Sequence, residues 1–157
     1  MTDQASETDR KPDHHVVSKA RDWIGTPYRH QASCKGAGTD CLGLLRGLWR
    51  EIIGEEPVDI PAYSPDWSET GDEEVLLDAA TLHLKPVARQ HAVEGDILVL
   101  RMRNNAIAKH VGVLAASQAG YPTMIHAYSG QGVTESPLTD SWMRNLAGVF
   151  CFPYRSN

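Results

Sequence analysis

The second half of the chain is a run of short strand-like segments with no helical pattern between them. From Gly95 onward these segments are rich in β-branched and aromatic residues, and turn-forming residues separate them. The five segments are 96–103, 109–117, 123–129, 132–138 and 148–154. Strands joined by such short connections pair antiparallel, because a parallel pair needs a long crossover. The chain is therefore predicted to form an antiparallel sheet of about five strands.

Helical spacing is confined to the part of the chain before this sheet. Apolar residues at steps of three and four predict a first helix over 16–24 and a second helix that starts at Cys41. Thr70 and Glu73 form a capping box, which predicts a third helix near 71–83. Helices first and strands after are typical of an α+β fold, with the helices packed on one side of the sheet.

One domain behind a short tail is the predicted organisation. The length of 157 residues suits a single hydrophobic core. Residues 1–13 are polar and without periodicity, which predicts a flexible tail, and 14–157 are predicted to be the domain. An irregular acidic segment at about 55–94, which includes the third helix, is interpreted as an insertion whose acids face solvent.

Charge and hydropathy limit the partners. The formal net charge is -5, without the clustered Lys and Arg on which nucleic-acid binding depends, so no nucleic-acid partner is expected. No apolar stretch reaches the roughly 20 residues of a membrane span, and the N-terminus lacks the apolar core of a signal peptide. We therefore expect synthesis in the cytoplasm and no membrane insertion.

Cys41 is the first candidate for chemistry. The dipole and the unpaired N–H groups at a helix start favour the thiolate, which is the reactive form of a cysteine. Thr39 or Asp40 can cap this helix. A small buried core residue is the alternative, because free cysteines are often buried. The odd count of 3 cysteines argues for free thiols over a disulfide framework.

Two of the 7 histidines lie inside predicted strands. His110 and His126 have hydrophobic neighbours in the sequence, whereas the other histidines lie in the tail, in loops or near the end of the acidic helix. A one-residue change in the hairpin loop between the two strands moves one histidine to the other face of the sheet. The sequence leaves open whether the two side chains meet.

Four stretches of the chain resemble, in order, the NlpC/P60 cysteine peptidases, which cleave peptides of bacterial peptidoglycan. They are "GTPYRHQASCKGAGTDCLGLL", "EGDILVL", "KHVGVLAAS" and "MIHAYSGQGV". The resemblance covers roughly residues 16–154 and implies a papain-like core, in which the cysteine-bearing helix packs against the sheet that presents the histidine. "YRHQASCKGAGTDCLGL" and the insert "PAYSPDW" are most similar to the shorter members carried by phages and phage-like gene transfer agents.

This resemblance also implies roles for individual residues. Cys41 would be the nucleophile, His110 its base, and His126 the third residue, which orients His110. Tyr28 matches a family tyrosine whose hydroxyl lies close to the nucleophile. The backbone N–H of Cys41 would stabilise the oxyanion.

Two residues beside the cysteine are implied in substrate binding. Asp40 matches the family acid that helps to hold the free amino end of the stem peptide. Leu42 departs from the family pattern, since many members have serine there. This departure puts the usual preference for a free L-Ala terminus in doubt.

The predicted function is hydrolysis of amide bonds in peptidoglycan stem peptides, with phage-like tail proteins as candidate partners and a phage-like particle as a candidate location. No metal and no cofactor is expected, since a zinc site of Cys41, His110, His126 and Cys34 lacks close ligand spacing. Cys34 could instead form a regulatory disulfide with Cys41. An idle structural module of a tail, and a Cys–His amidase or acyltransferase on another substrate, stay open as alternatives.

Overall fold

The computed structural model describes residues 10–57, 75–102 and 108–153. Most of its helices precede the main run of strands, and one short helix lies just before the last strand. In chain order they are α1 (His14–Arg21), β1 (Ser33–Cys34), β2 (Gly38–Thr39), α2 (Cys41–Ile52), α3 (Val75–His83), β3 (Lys85–Val87), a 3-10 turn (Arg89–His91), β4 (Ile97–Arg101), β5 (Ala108–Ala116), β6 (Pro122–Tyr128), β7 (Gly132–Pro137), α4 (Asp140–Arg144) and β8 (Leu146–Cys151).

An antiparallel sheet organises the molecule, as predicted. Within the described ranges it has six strands in the order β3-β8-β4-β5-β6-β7. The five predicted strands are β4 to β8, and the prediction missed β3, which pairs with β8 at the edge. Pro86 lies in β3, and a proline in a short run argues against a strand except at an edge. β1 and β2 form a separate two-stranded hairpin that leads into α2.

Helices α1, α2 and α3 cover one face of this sheet and enclose the main core with it. The core alternates along the strands, as period-two side chains require. Its buried residues include Val16, Ala20, Leu44, Leu48, Ile97, Val99, Val111, Val113, Ile125 and Phe150. A smaller apolar cluster on the other face comprises Leu98, Leu100, Met124, Leu146 and Val149. The arrangement confirms the predicted α+β fold.

The helix predictions hold with shifted bounds. The first helix, predicted over 16–24, is α1 (His14–Arg21). The third, predicted from residue 71, is seen as α3 (Val75–His83), and its capping box lies outside the described residues, as does "PAYSPDW". Helix α4 was not predicted, because its five residues are too few to show a helical period. In the described ranges no helix has the length and apolar character to cross a membrane.

The end of the predicted tail is attached to the sheet. Arg10 donates two hydrogen bonds, of 2.7 and 2.6 Å, to the carboxylate of Asp96, and both side chains are almost fully buried. Asp13 caps α1 by accepting a 3.2 Å bond from the Val16 N–H. Residues 10–13 therefore belong to the folded domain. An ion pair between such distant positions has no local pattern that a sequence analysis could recognise.

Candidate active site

The start of α2 is held by the Asp40 carboxylate. Its Oδ1 accepts a 2.7 Å bond from the Gly43 N–H, and its Oδ2 accepts a 2.7 Å bond from the Gln31 N–H. Of the two predicted caps, the structure selects Asp40. One side chain thus fixes both the helix start and the preceding loop, and Cys41 follows as the first residue of the helix.

Tyr28 is brought to the same place by backbone pairing. It forms a parallel bridge with Thr39, supported by a 2.9 Å bond from the Thr39 N–H to the Pro27 carbonyl and a 3.0 Å bond from the Arg29 N–H to the Thr39 carbonyl. Tyr28 lies in the loop before β1, and Thr39 lies in β2, two residues before Cys41. Tyr28 is therefore held beside the helix start by the chain that leads into it.

A cavity of about 290 Å³ opens over the N-terminus of α2. Five of the six predicted site residues line it, namely Tyr28, Asp40, Cys41, Leu42 and His110. The other lining residues were not predicted to belong to the site, and they are His30, Met102, Lys109, Ala127, Tyr128 and Ser129. The sequence places His30 in the loop before Cys41, where it could either shape the site or face solvent, and the other residues had no pattern that marked them.

Strand β5 carries His110 into contact with this cavity. The Cys41 thiol packs over β5 and donates a weak 3.7 Å hydrogen bond to the carbonyl of Lys109, the residue before His110. Cys41 and His110 therefore lie at one site although they are far apart in the chain.

His126, the sixth predicted residue, lies behind His110. Nε2 of His110 is 2.7 Å from Nδ1 of His126, and the two rings meet edge to face with centroids 4.9 Å apart. The register of β5 with β6, which pairs Val113 with Ile125, brings both histidines to one face of the sheet. The structure thus answers the question that the hairpin loop left open.

Aromatic rings enclose the two histidines. Trp142 of α4 stacks on His110, with centroids 5.4 Å apart and planes inclined by 22°, and meets His126 edge-on at 5.7 Å. Tyr128 meets His110 in a T-shaped arrangement at 6.0 Å and lies tilted to His126 at 5.5 Å between centroids. His110 and His126 are 5% and 3% exposed, so the pair is shielded from water. Sequence analysis missed Trp142 because it belongs to the unpredicted helix α4.

Burial decides the charge state of the site. Burial and the adjacent Asp40 carboxylate raise the pKa of the Cys41 thiol to about 12, although three backbone N–H groups lower it. Burial, with a smaller effect of His126, lowers the pKa of His110 to about 3, and burial lowers the pKa of His126 to about 4. The resting site therefore holds a neutral thiol and neutral imidazoles near pH 7. The thiolate expected from the helix start is not favoured, because desolvation exceeds the effect of the N–H groups.

Tyr28 is also neutral in the resting site. Its pKa is raised by burial first, and then by the proximity of Cys41 and Asp40. Its phenol O–H is thus available as a hydrogen-bond donor toward the cavity.

The other cysteines stand apart from the cavity. Cys34 is an exposed thiol on β1 and Cys151 is a buried thiol on β8, and neither forms a disulfide bond. Neither lines the cavity that contains Cys41. In the part of the chain that the structure describes, no group of three or more His, Cys, Asp or Glu side chains is arranged to hold a metal ion.

Comparison with known proteins gives the family. The sequence pattern of the NlpC/P60 family matches residues 25–150, which include every site residue described above. The chain belongs to the NlpC/P60 family. The match confirms the family predicted from the four sequence stretches.

Curated relatives of this NlpC/P60 chain are 25% to 27% identical to it. They are the probable endopeptidase NlpC homolog of Haemophilus influenzae (26% over 133 residues), the murein DD-endopeptidase MepH of Escherichia coli (27% over 136 residues) and the gamma-DL-glutamyl hydrolase of Bacillus subtilis (25% over 135 residues). The matches take in 84% or 85% of this chain but only 58%, 44% and 28% of the three relatives.

Solved structures of the family share the fold. A Bacillus cereus NlpC/P60 protein superposes with a TM-score of 0.58 at 19% identity, over 93% of this chain and 42% of its own. A Staphylococcus aureus protein described as similar to an NLP/P60 family lipoprotein superposes with a TM-score of 0.57 at 16% identity. This match covers 92% of this chain and 44% of the other. The NlpC/p60 domain of the peptidoglycan hydrolase SagA superposes with a TM-score of 0.53 at 21% identity. This match covers 87% of this chain and 96% of the SagA domain. These similarities confirm the NlpC/P60 fold of helices packed on an antiparallel sheet.

Proposed function

We propose that this NlpC/P60 chain is a cysteine hydrolase that cleaves amide bonds in the stem peptides of peptidoglycan. One observation carries the proposal: Cys41 and His110 line the same cavity, and His110 is hydrogen-bonded to His126. The relatives support the substrate class, since their names include a murein endopeptidase and a glutamyl hydrolase. Cleavage at or near the D-Glu residue of the stem is the simplest form of this activity.

The mechanism starts from the neutral pair. His110 accepts the thiol proton while the Cys41 sulfur attacks the substrate carbonyl, so the thiolate forms only as the new S–C bond forms. In this mechanism the backbone N–H of Cys41 and the Tyr28 hydroxyl donate hydrogen bonds that stabilise the oxyanion. The His110 imidazolium then gives its proton to the leaving amine, which leaves an acyl-enzyme. Water, deprotonated by His110, then attacks the thioester, the acid is released, and the His110 imidazolium returns the proton to the Cys41 sulfur.

Asp40 and Leu42 are proposed to contact the substrate beside the scissile bond. Asp40 lines the cavity and its carboxylate would attract a substrate ammonium group, while it continues to cap the helix. Leu42 offers an apolar surface to the same cavity where many family members offer a hydroxyl. We therefore propose that the chain accepts a terminus other than free L-Ala.

A phage-like origin is proposed from the sequence resemblance alone. In this proposal the chain is a component of a phage-like tail or gene transfer agent, tail proteins are its partners, and the tail carries it to the cell wall. Mass spectrometry of purified particles from the source organism would find the protein in the particle fraction. Its absence from that fraction contradicts the particle assignment and leaves the hydrolase proposal intact.

The hydrolase proposal is tested with muropeptides and mass spectrometry of the products. Under reducing conditions we expect cleavage by the unmodified protein, and a rate lower by about 10³-fold or more in Cys41→Ala, because the nucleophile is lost. Cys34→Ala is the matched control, since this thiol is exposed and outside the cavity, and it should retain the full rate.

Two results would contradict the hydrolase proposal. One is equal activity in the unmodified protein and in Cys41→Ala. The other is no cleavage of any muropeptide, which would favour the idle structural module or an amide or acyl substrate of another class.

A further inference from the structure

A serine continues the hydrogen-bonded pair of histidines on the side away from the cavity. Ser136 of β7 places its Oγ 3.0 Å from Nε2 of His126. The register of β6 with β7 pairs His126 with Thr134 and Met124 with Ser136, so Ser136 is the diagonal neighbour of His126. Ser136 is half-buried and does not line the cavity of Cys41. The structure therefore contains a row of three side chains, His110, His126 and Ser136, joined by two hydrogen bonds.

The direction of this row determines whether His110 can act as a base. If Nε2–H of His110 donates to Nδ1 of His126, the Nδ1 of His110 keeps a lone pair that can accept the thiol proton. His126 must then carry its own proton on Nε2, because its Nδ1 is the acceptor. If both bonds run the other way, His110 carries its proton on Nδ1 and presents a donor to the thiol. Only the first direction is compatible with general-base catalysis.

Ser136 supplies the acceptor that the productive direction requires. His126 is 3% exposed, so a proton on its Nε2 needs a partner within the protein. Leaving a buried donor without an acceptor is unfavourable enough to shift a tautomer equilibrium. The Ser136 hydroxyl accepts this bond and, being half-exposed, can donate its own hydrogen to water.

We propose that Ser136 is a positioning residue of the active site, which holds His126 in the Nε2–H tautomer and thereby keeps Nδ1 of His110 free to accept the proton of Cys41. This proposal rests on the proposed function for its catalytic consequence. The effect of Ser136 on the tautomers does not depend on the proposed function, because it involves only the hydrogen bonds of His110, His126 and Ser136.

Ser136→Thr and Ser136→Val form the matched pair for the test. Threonine and valine have nearly the same shape and both suit a strand, but only threonine keeps the hydroxyl. Long-range ¹H–¹⁵N spectra of histidine-labelled protein report which ring nitrogen carries the proton, and a His126→Gln spectrum assigns the His126 signals. Ser136→Ala is a third variant, which shows whether any effect of valine is due to its bulk.

We expect the Nε2–H tautomer at both histidines in the unmodified protein and in Ser136→Thr. Ser136→Val and Ser136→Ala should move His126 toward the Nδ1–H tautomer. On muropeptides their kcat should fall by at least about tenfold with KM unchanged, because a wrong tautomer removes the base without altering the cavity. Ser136→Thr should retain kcat.

The two proposals fail in different ways. Unchanged tautomers in Ser136→Val, or an equal loss in Ser136→Thr and Ser136→Val, would overturn the role of Ser136. If the unmodified protein cleaves no muropeptide but the tautomers shift as expected, the proposed substrate is wrong and the positioning role of Ser136 is supported.

Discussion

At the scale of single residues, the resting charge of Cys41 is the property that burial determines. A helix start and three N–H groups favour the thiolate, but desolvation and the Asp40 carboxylate together raise the pKa of Cys41 to about 12. The thiol is therefore a latent nucleophile that needs His110 during the reaction. A Cys41 thiol that reacts slowly with a small electrophile at neutral pH would be compatible with an active enzyme. The rate of muropeptide hydrolysis is therefore the better measure of activity.

This charge state predicts the pH dependence of Cys41 alkylation. Because the thiol pKa lies near 12, the thiolate fraction grows with pH, and the rate with iodoacetamide should rise about tenfold per pH unit from 7 to 10. Peptide mass spectrometry after timed quenching measures the rate. Cys34, which is exposed, is followed in the same digest as the accessible reference thiol. A rate for Cys41 that is already constant above about pH 5 would indicate a resting thiolate–imidazolium pair and contradict this interpretation.

At the scale of elements, the short helix α4 shields the histidines. Thr139 caps it by accepting a 3.4 Å bond from the Trp142 N–H, and this places the indole on His110. Trp142 has two opposing effects on the pKa of His110. Its π face stabilises an imidazolium by about 0.5–2 kcal/mol, whereas its bulk excludes water. The pKa of His110 is lowered from 6.5 to about 3 with burial as the first cause, and the stacked Trp142 ring is part of that burial, so we expect its exclusion of water to outweigh its π face.

Trp142→Ala should therefore raise the pKa of His110 from about 3 toward 6.5, because water reaches the ring and solvates the cation. Histidine ¹H–¹³C signals followed through a pH titration report the change. Met143→Ala is the matched control, since this neighbour on the same helix is 43% exposed and makes no ring contact with His110. A pKa that stays near 3 in Trp142→Ala would assign the shielding to other elements.

At the scale of the whole molecule, the chain start is fastened to the sheet that carries the site. Arg10 is 81 residues from His91 and 86 residues from Asp96, the two partners to which it donates, and Asp96 immediately precedes β4, the neighbour of β5. The Asp96 carboxylate is fully buried and accepts bonds from Arg10 and from the Val93 N–H. Removal of Arg10 would leave this charge without its cation.

Arg10→Met should lower the free energy of unfolding by about 3–5 kcal/mol, the usual cost of breaking a buried ion pair from one side. Urea denaturation measures the change, and the midpoint of thermal unfolding should fall by roughly 10 °C for a chain of this size. Arg144→Met is the control at an exposed arginine of α4 and should change stability by no more than about 0.5 kcal/mol. A loss below about 1 kcal/mol in Arg10→Met would show that the pair contributes little.

Local patterns predicted most of the fold. Alternation along 96–103, 109–117 and the later strands requires only neighbouring residues, and β4 to β8 lie within a few residues of the predicted bounds. The elements that were missed, β3 and α4, are three and five residues long and too short to show a period. The order of strands in the sheet, with β8 between β3 and β4, follows from pairing between distant segments and had no local pattern.

The sequence by itself determined the α+β class, the family, and the position of Cys41 at a helix start, because each of these depends on residues close together in the chain. The tertiary structure alone decided that His110 meets His126, that Ser136 and Trp142 join them, and that the Cys41 thiol rests neutral. Register and desolvation are set by side chains brought together from separate strands and helices. The physical state of the GTDCLGLL segment was therefore decided by neighbours that lie far from it in sequence.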